Sequence, residues 1–128
     1  MAKRIANSMK DDNAAWSGYL SAEEMQTEME AVLRYLGSKS ATSLTIMYGF
    51  GCDVDDPYKE IPIQLTDVKT FIKQGLDNGV WRLGDDDFHI AAPSLSTEFL
   101  FCHESDIHLT SGDRDTLAYF VKRWKARG

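Results

Sequence analysis

Residues 84–109 read GDDDFHIAAPSLSTEFLFCHESDIHL, and this stretch decides the fold. Asp87-Phe88-His89-Ile90-Ala91 alternates polar and apolar residues until Pro93 stops it, the period of a half-buried strand. Residues 97–103 follow with the nearly unbroken apolar run Phe99-Leu100-Phe101-Cys102, as expected of a strand inside a sheet. Glu104-Ser105-Asp106 turns the chain, and Ile107-His108-Leu109 returns. Upstream, Val80-Trp81-Arg82-Leu83 reads as the first arm of another hairpin around Gly84-Asp85-Asp86. Consecutive strands joined by short turns imply antiparallel pairing.

Helices frame this region. Ser21 and Glu24 form a capping box, with Leu20 and Met25 at the hydrophobic-staple positions. Met25, Met29, Val32, Leu33 and Leu36 recur at helical spacing up to Gly37, so a helix is expected over 22–36, with Glu23, Glu28 and Glu30 on its outer face. Residues 43–48 (Ser-Leu-Thr-Ile-Met-Tyr) read as a strand, and Ile61-Pro62-Ile63 as an extended piece that Pro62 excludes from the sheet centre. A second helix starts at Thr66-Asp67, carries Val68, Phe71, Ile72 and Leu76, and closes at Asn78-Gly79. Ser111-Gly112-Asp113 caps a last helix whose buried face is Leu117, Phe120, Val121 and Trp124. Lys122, Arg123, Lys125 and Arg127 crowd its final turns, where the helix dipole favours cations. The order α-β-α-β-β-β-β-α lacks regular βαβ alternation. It predicts a two-layer α+β domain over 21–128, with three helices on a mainly antiparallel sheet of about four to five strands. Residues 1–20 are expected to be a partly ordered lead-in, docked through Trp16, Tyr19 and Leu20.

Charge is distributed unevenly. The net charge is −6, but residues 51–113 hold thirteen acids against four bases, whereas residues 114–128 hold one acid against five bases. An acidic middle repels a phosphate backbone, which argues against direct nucleic-acid binding and favours a basic protein partner. Cys52 and Cys102 lie fifty positions apart, neither a disulfide framework nor a four-ligand zinc pattern, and read as free thiols in a reducing compartment. No stretch is apolar for long enough to span a bilayer and no secretory signal is present, so a cytoplasmic location is expected.

All three histidines fall inside the opening stretch. A tight turn centred on Ser105-Asp106 would set His103 opposite His108 on one side of the ladder. His89 could then complete a metal-binding trio of His89, His103 and His108. Cys102 and His103 are neighbours on a predicted strand and should point to opposite faces, which precludes a thiol–imidazole catalytic pair. Asp53-Val54-Asp55-Asp56 fails as a calcium loop, because Tyr58 and Gln64 stand where glycine and glutamate are needed. Gly49-Phe50-Gly51 lacks the remaining glycine of a dinucleotide fingerprint, and neither GxSxG nor HExxH occurs. No catalytic residue and no cofactor is therefore assigned.

The expectation is a small acidic, non-enzymatic protein-binding module of the inhibitor or immunity type. It would engage a basic partner through Asp85, Asp86, Asp87, Glu104 and Asp106, the acids of the two turns. The alternative is a metal-binding domain or metal-dependent enzyme built on the histidine cluster.

Overall fold

A computed structural model describes residues 13–49, 60–79 and 86–127. The elements are β1 (Ala14–Trp16), α1 (Ala22–Ser38), β2 (Ser43–Gly49), β3 (Ile61–Gln64), α2 (Leu65–Asp77), β4 (Asp87–Ala92), a single 3₁₀ turn (Pro93–Leu95), β5 (Thr97–Cys102), β6 (Asp106–Ser111) and α3 (Arg114–Arg127). The strands form one six-stranded sheet in the order β1-β6-β5-β4-β2-β3, antiparallel at every pairing. The α+β class agrees with the sequence, and the sheet is larger than the four to five strands expected.

Two short strands account for the difference. β1 lies within the expected lead-in and is stitched to β6: Ser17 N–H donates to the Ile107 carbonyl at 3.0 Å, and Ser111 N–H to the Asn13 carbonyl at 2.8 Å. β3 includes Pro62, which pairs with Thr45 but lies on the edge strand of the sheet among the described residues, where a missing N–H is tolerated. The Val80–Leu83 arm of the expected hairpin lies outside the described residues; the edges of β4 are held by β2 and β5.

Strand alternation sorts the sheet into two faces. Phe88, Ile90, Phe99, Phe101, Ile107 and Leu109 point to one side and are buried there. All three helices pack on that side. Phe99 meets Phe120 of α3 edge-to-face at 5.1 Å, Phe120 meets Tyr35 of α1 at 5.2 Å, and Tyr48 approaches Phe71 of α2 at 6.3 Å. Met25, Met29, Val32, Leu36, Val68, Ile72, Leu117 and Trp124 complete the same core. Each such side chain contributes about 1.5–3 kcal/mol on burial.

Local chemistry sets the helix ends. The capping box is formed as expected: Glu24 N–H donates to Ser21 Oγ at 3.1 Å and Ser21 N–H to Glu24 Oε1 at 2.8 Å. Asp113 Oδ2 accepts from the Thr116 N–H at 3.1 Å and holds the first turn of α3. α2 begins one residue earlier than expected, at Leu65, with Gln64 making no side-chain cap bond.

Glu28 corrects the expected outer face of α1. It is 0% exposed and faces α3. Arg123 grips it with two bonds of 2.8 and 2.9 Å, and Trp124 Nε1 donates a third at 2.9 Å. That bidentate bond raises the Arg123 pKa further, so the guanidinium stays charged. The basic end of α3 is thus partly a structural fastener and not only a dipole complement.

Candidate functional site

The second face of the sheet carries no described helix. Across it runs the row Trp16, His108, Leu100, His89 and Met47, each opposite the next on adjacent strands. Cys102 and Asp106 are opposed in the neighbouring position at the β5–β6 turn. The six strands contain three acids (Asp87, Glu98, Asp106) and neither Lys nor Arg.

The turn itself differs from expectation. Three residues, His103-Glu104-Ser105, connect β5 to β6, and Ser105 N–H donates to the Cys102 carbonyl at 3.0 Å. Ser105 adopts a left-handed φ of 63°, a conformation that Gly or Asn would normally advertise. It is held there from outside the hairpin: its carbonyl accepts from Leu20 N–H at 2.8 Å, and its hydroxyl donates to the Leu20 carbonyl. Consequently Cys102 pairs with Asp106 and Leu100 with His108. His103 does not oppose His108.

The three histidines accordingly do not converge. Each meets a different carboxylate: His89 Nδ1 lies 3.0 Å from Glu98 Oε2, His103 Nδ1 lies 2.8 Å from Asp87 Oδ1, and His108 Nε2 lies 3.4 Å from Asp106 Oδ1. His89 and His108 flank Leu100 and share with Glu98 and Thr110 a crevice of about 30 Å³, room for a water-sized group and no more. His103 has left the strand, so alternation no longer separates it from Cys102; Cys102 Sγ and His103 Nδ1 approach to 3.9 Å.

Cys102 is central to what does converge. Its sulfur lies within 4.8 Å of ligand atoms from Asp87 and His103 on one side, and from Asp106 and His108 on the other. Burial, and then the charges of Asp106 and Asp87, push the thiol up to about 11, only partly countered by the Glu104 backbone N–H. It is protonated at neutral pH, which removes the nucleophilic thiolate that cysteine catalysis requires. Burial also pushes the Asp106 carboxyl up, but contacts from His108 and Trp16 pull harder and hold it below its ordinary value.

The acids expected to meet a partner occupy varied positions. Asp86 and Asp106 are 8% and 3% exposed. Asp87 is largely buried and accepts from both the backbone N–H and the ring of His103. Glu104 is exposed, and Asp85 lies outside the described residues. Two exposed aromatics not counted among the partner-binding residues stand at the β1 end: Trp16, 51% exposed, and Tyr19, 76% exposed, edge-to-face at 5.5 Å. Glu98, also missed, presents a half-exposed carboxylate. The strand alternation of β5 carried that signal, because Glu98 and Leu100 must face away from Phe99.

Comparison with protein-family models, characterised proteins and solved structures returns no match to this chain. None of the described helices is long and apolar enough to cross a membrane.

Proposed function

We propose that the protein is a non-enzymatic binding module that receives a basic protein surface on the helix-free face of its sheet and the adjoining β5–β6 turn. The observation that carries this reading is the charge of that face: its strands offer carboxylates and imidazoles with no lysine or arginine among them. Glu98 and Glu104 are the solvent-facing acids, and Trp16 with Tyr19 supplies exposed aromatic faces beside them. Carboxylates steer a cationic partner over a Debye length of about 8 Å, and an aromatic face adds cation–π attraction of about 0.5–1 kcal/mol at an exposed site. The protonated state of Cys102 supports a binding role over thiol catalysis.

The test compares immobilised wild-type chain with an E98K/E104K variant that retains its circular dichroism. The expected outcome is capture of a basic protein by the wild type alone, with release in about 0.5 M salt as screening sets in. Capture of the same protein by both forms, or release that does not depend on salt, refutes the proposal. An inhibitor or immunity-type role is the narrower form of this reading. It requires that the captured protein lose an activity when the wild-type chain is added.

A further inference from the structure

We propose that Cys102, Asp106 and His108 form a site for a divalent cation of the zinc class. This goes beyond the docking role and stands on separate observations.

The first is convergence. One ligand atom from each residue lies within 4.8 Å of the other two. Two of them are opposed across the β5–β6 ladder, and His108 stands two residues beyond Asp106 on the same face of β6. Rigid strands therefore position all three.

The second is an unsatisfied carboxylate oxygen. The Asp106 side chain is 4% exposed. Its Oδ2 accepts from Trp16 Nε1 at 2.7 Å, while Oδ1 is buried without a hydrogen bond of normal geometry, its neighbour being the His108 ring at 3.4 Å. A buried acceptor left in this state is costly, and native proteins rarely tolerate it without a reason. His108 Nε2 stands 3.4 Å from that oxygen. This is long for an N–H···O bond, which centres near 2.9 Å. It matches the edge of a tetrahedral shell, since metal–N and metal–O bonds of about 2.1 Å place their ligand atoms roughly 3.4 Å apart.

The third is ligand chemistry. A thiolate, an imidazole and a carboxylate together suit zinc, whereas magnesium and calcium call for oxygen alone. On binding, the Cys102 S–H bond breaks, the sulfur keeps the electron pair and donates it to the cation, and the proton leaves to solvent. Trp16 acts as a positioning residue: its indole N–H fixes Asp106 through the far oxygen and leaves the near one to face the site. The neighbouring Asp87–His103 pair is a weaker candidate, because Asp87 Oδ1 already accepts two bonds from His103. Three protein ligands leave a fourth position for water or for a group from a partner.

The experiment titrates Co²⁺, a spectroscopic substitute for zinc, into chelator-treated full-length protein and reads the sulfur-to-cobalt charge-transfer absorption. One equivalent of Co²⁺ should produce the band, and excess Zn²⁺ should abolish it. C52S should keep it, which excludes the other thiol as its source. C102S should lose the band. H108N, on a part-exposed side chain, should lose it or weaken binding at least tenfold while the fold is retained, so the proposal stays testable even if C102S does not fold. W16F should weaken binding about tenfold, as removal of an outer hydrogen-bond partner does. Absence of the band in folded wild-type protein at millimolar Co²⁺ overturns the proposal, as does its persistence in H108N at unchanged affinity. Either result would assign Cys102 as a protonated thiol resting against Asp106.

Discussion

Glu28 and Asp106 are both buried carboxylates, and each accepts a hydrogen bond from a tryptophan indole, Trp124 for one and Trp16 for the other. The likeness ends there. Glu28 lies between two helices, and a guanidinium engages both its oxygens. Asp106 lies on the helix-free side of the sheet, with one oxygen bonded and the other facing an imidazole at 3.4 Å and a thiol. A buried charge is tolerated when its partners are complete and becomes a point of chemical capacity when they are not. Glu28 therefore fastens the fold. Asp106 retains coordination strength for something else.

The sharpest way to break this comparison is to neutralise the completed pair. Glu28→Gln strands Arg123 and weakens the bond to Trp124. Loss of one partner of a buried ion pair costs about 3–5 kcal/mol. Arg123 retains partial access to water, with 28% of its side chain exposed, so the low end, about 3 kcal/mol, is expected. Urea denaturation at neutral pH measures it. A cost below about 1 kcal/mol would show that Glu28 and Asp106 are alike after all.

The legibility of these two sites from sequence differs for physical reasons. Glu28 stands three residues after Met25 and four before Val32, inside the apolar stripe of its own helix, and that spacing was a readable signal of burial. Its partner lies 95 residues away, where no local rule reaches. The helix caps at Ser21 and Asp113 and the interior position of β5 were readable, because each depends on near neighbours or on period alone. The Cys102–Asp106 register was not. It depends on Ser105 taking a left-handed conformation that the distant Leu20 contacts help to hold. β1 escaped for a similar reason: Ala-Ala-Trp has no period, and its pairing with β6 is entirely tertiary.

The next effect in size concerns pH on the open side of the sheet, in chelator-treated protein. Cys102 titrates at about 11 in the fold against an ordinary 9.0. The unfolded chain releases this proton first, so folding stability is intact below pH 9 and declines as pH rises toward 11. A displacement of this size corresponds to about 2–3 kcal/mol. Denaturation midpoints across that range should fall in the wild type. The matched Cys102→Ser variant, which has no thiol to ionise at this position, should show that much less decline. Parallel curves for the two proteins would mean that the sulfur is not held in the dry, acidic setting described.

The smallest expected effect falls on Asp106 itself. In metal-free protein at neutral pH, Asp106→Asn keeps an acceptor for Trp16 but exchanges a charge-assisted hydrogen bond for a neutral one, a loss of about 1 kcal/mol. Removing an incompletely paired charge from a buried position offsets part of that loss. The net cost should lie below about 1 kcal/mol, well short of Glu28→Gln. The acid limb sharpens the contrast. The Asp106 carboxyl is held below its ordinary value in the fold, so its contribution is present above the unfolded pKa of about 3.9 and is lost as pH falls through the folded one. Asp106→Asn should lose stability less steeply than wild type across that window. A neutral-pH cost comparable to that of Glu28→Gln would mean that His108 and Trp16 already complete Asp106. Its free oxygen would then have no capacity left for a cation.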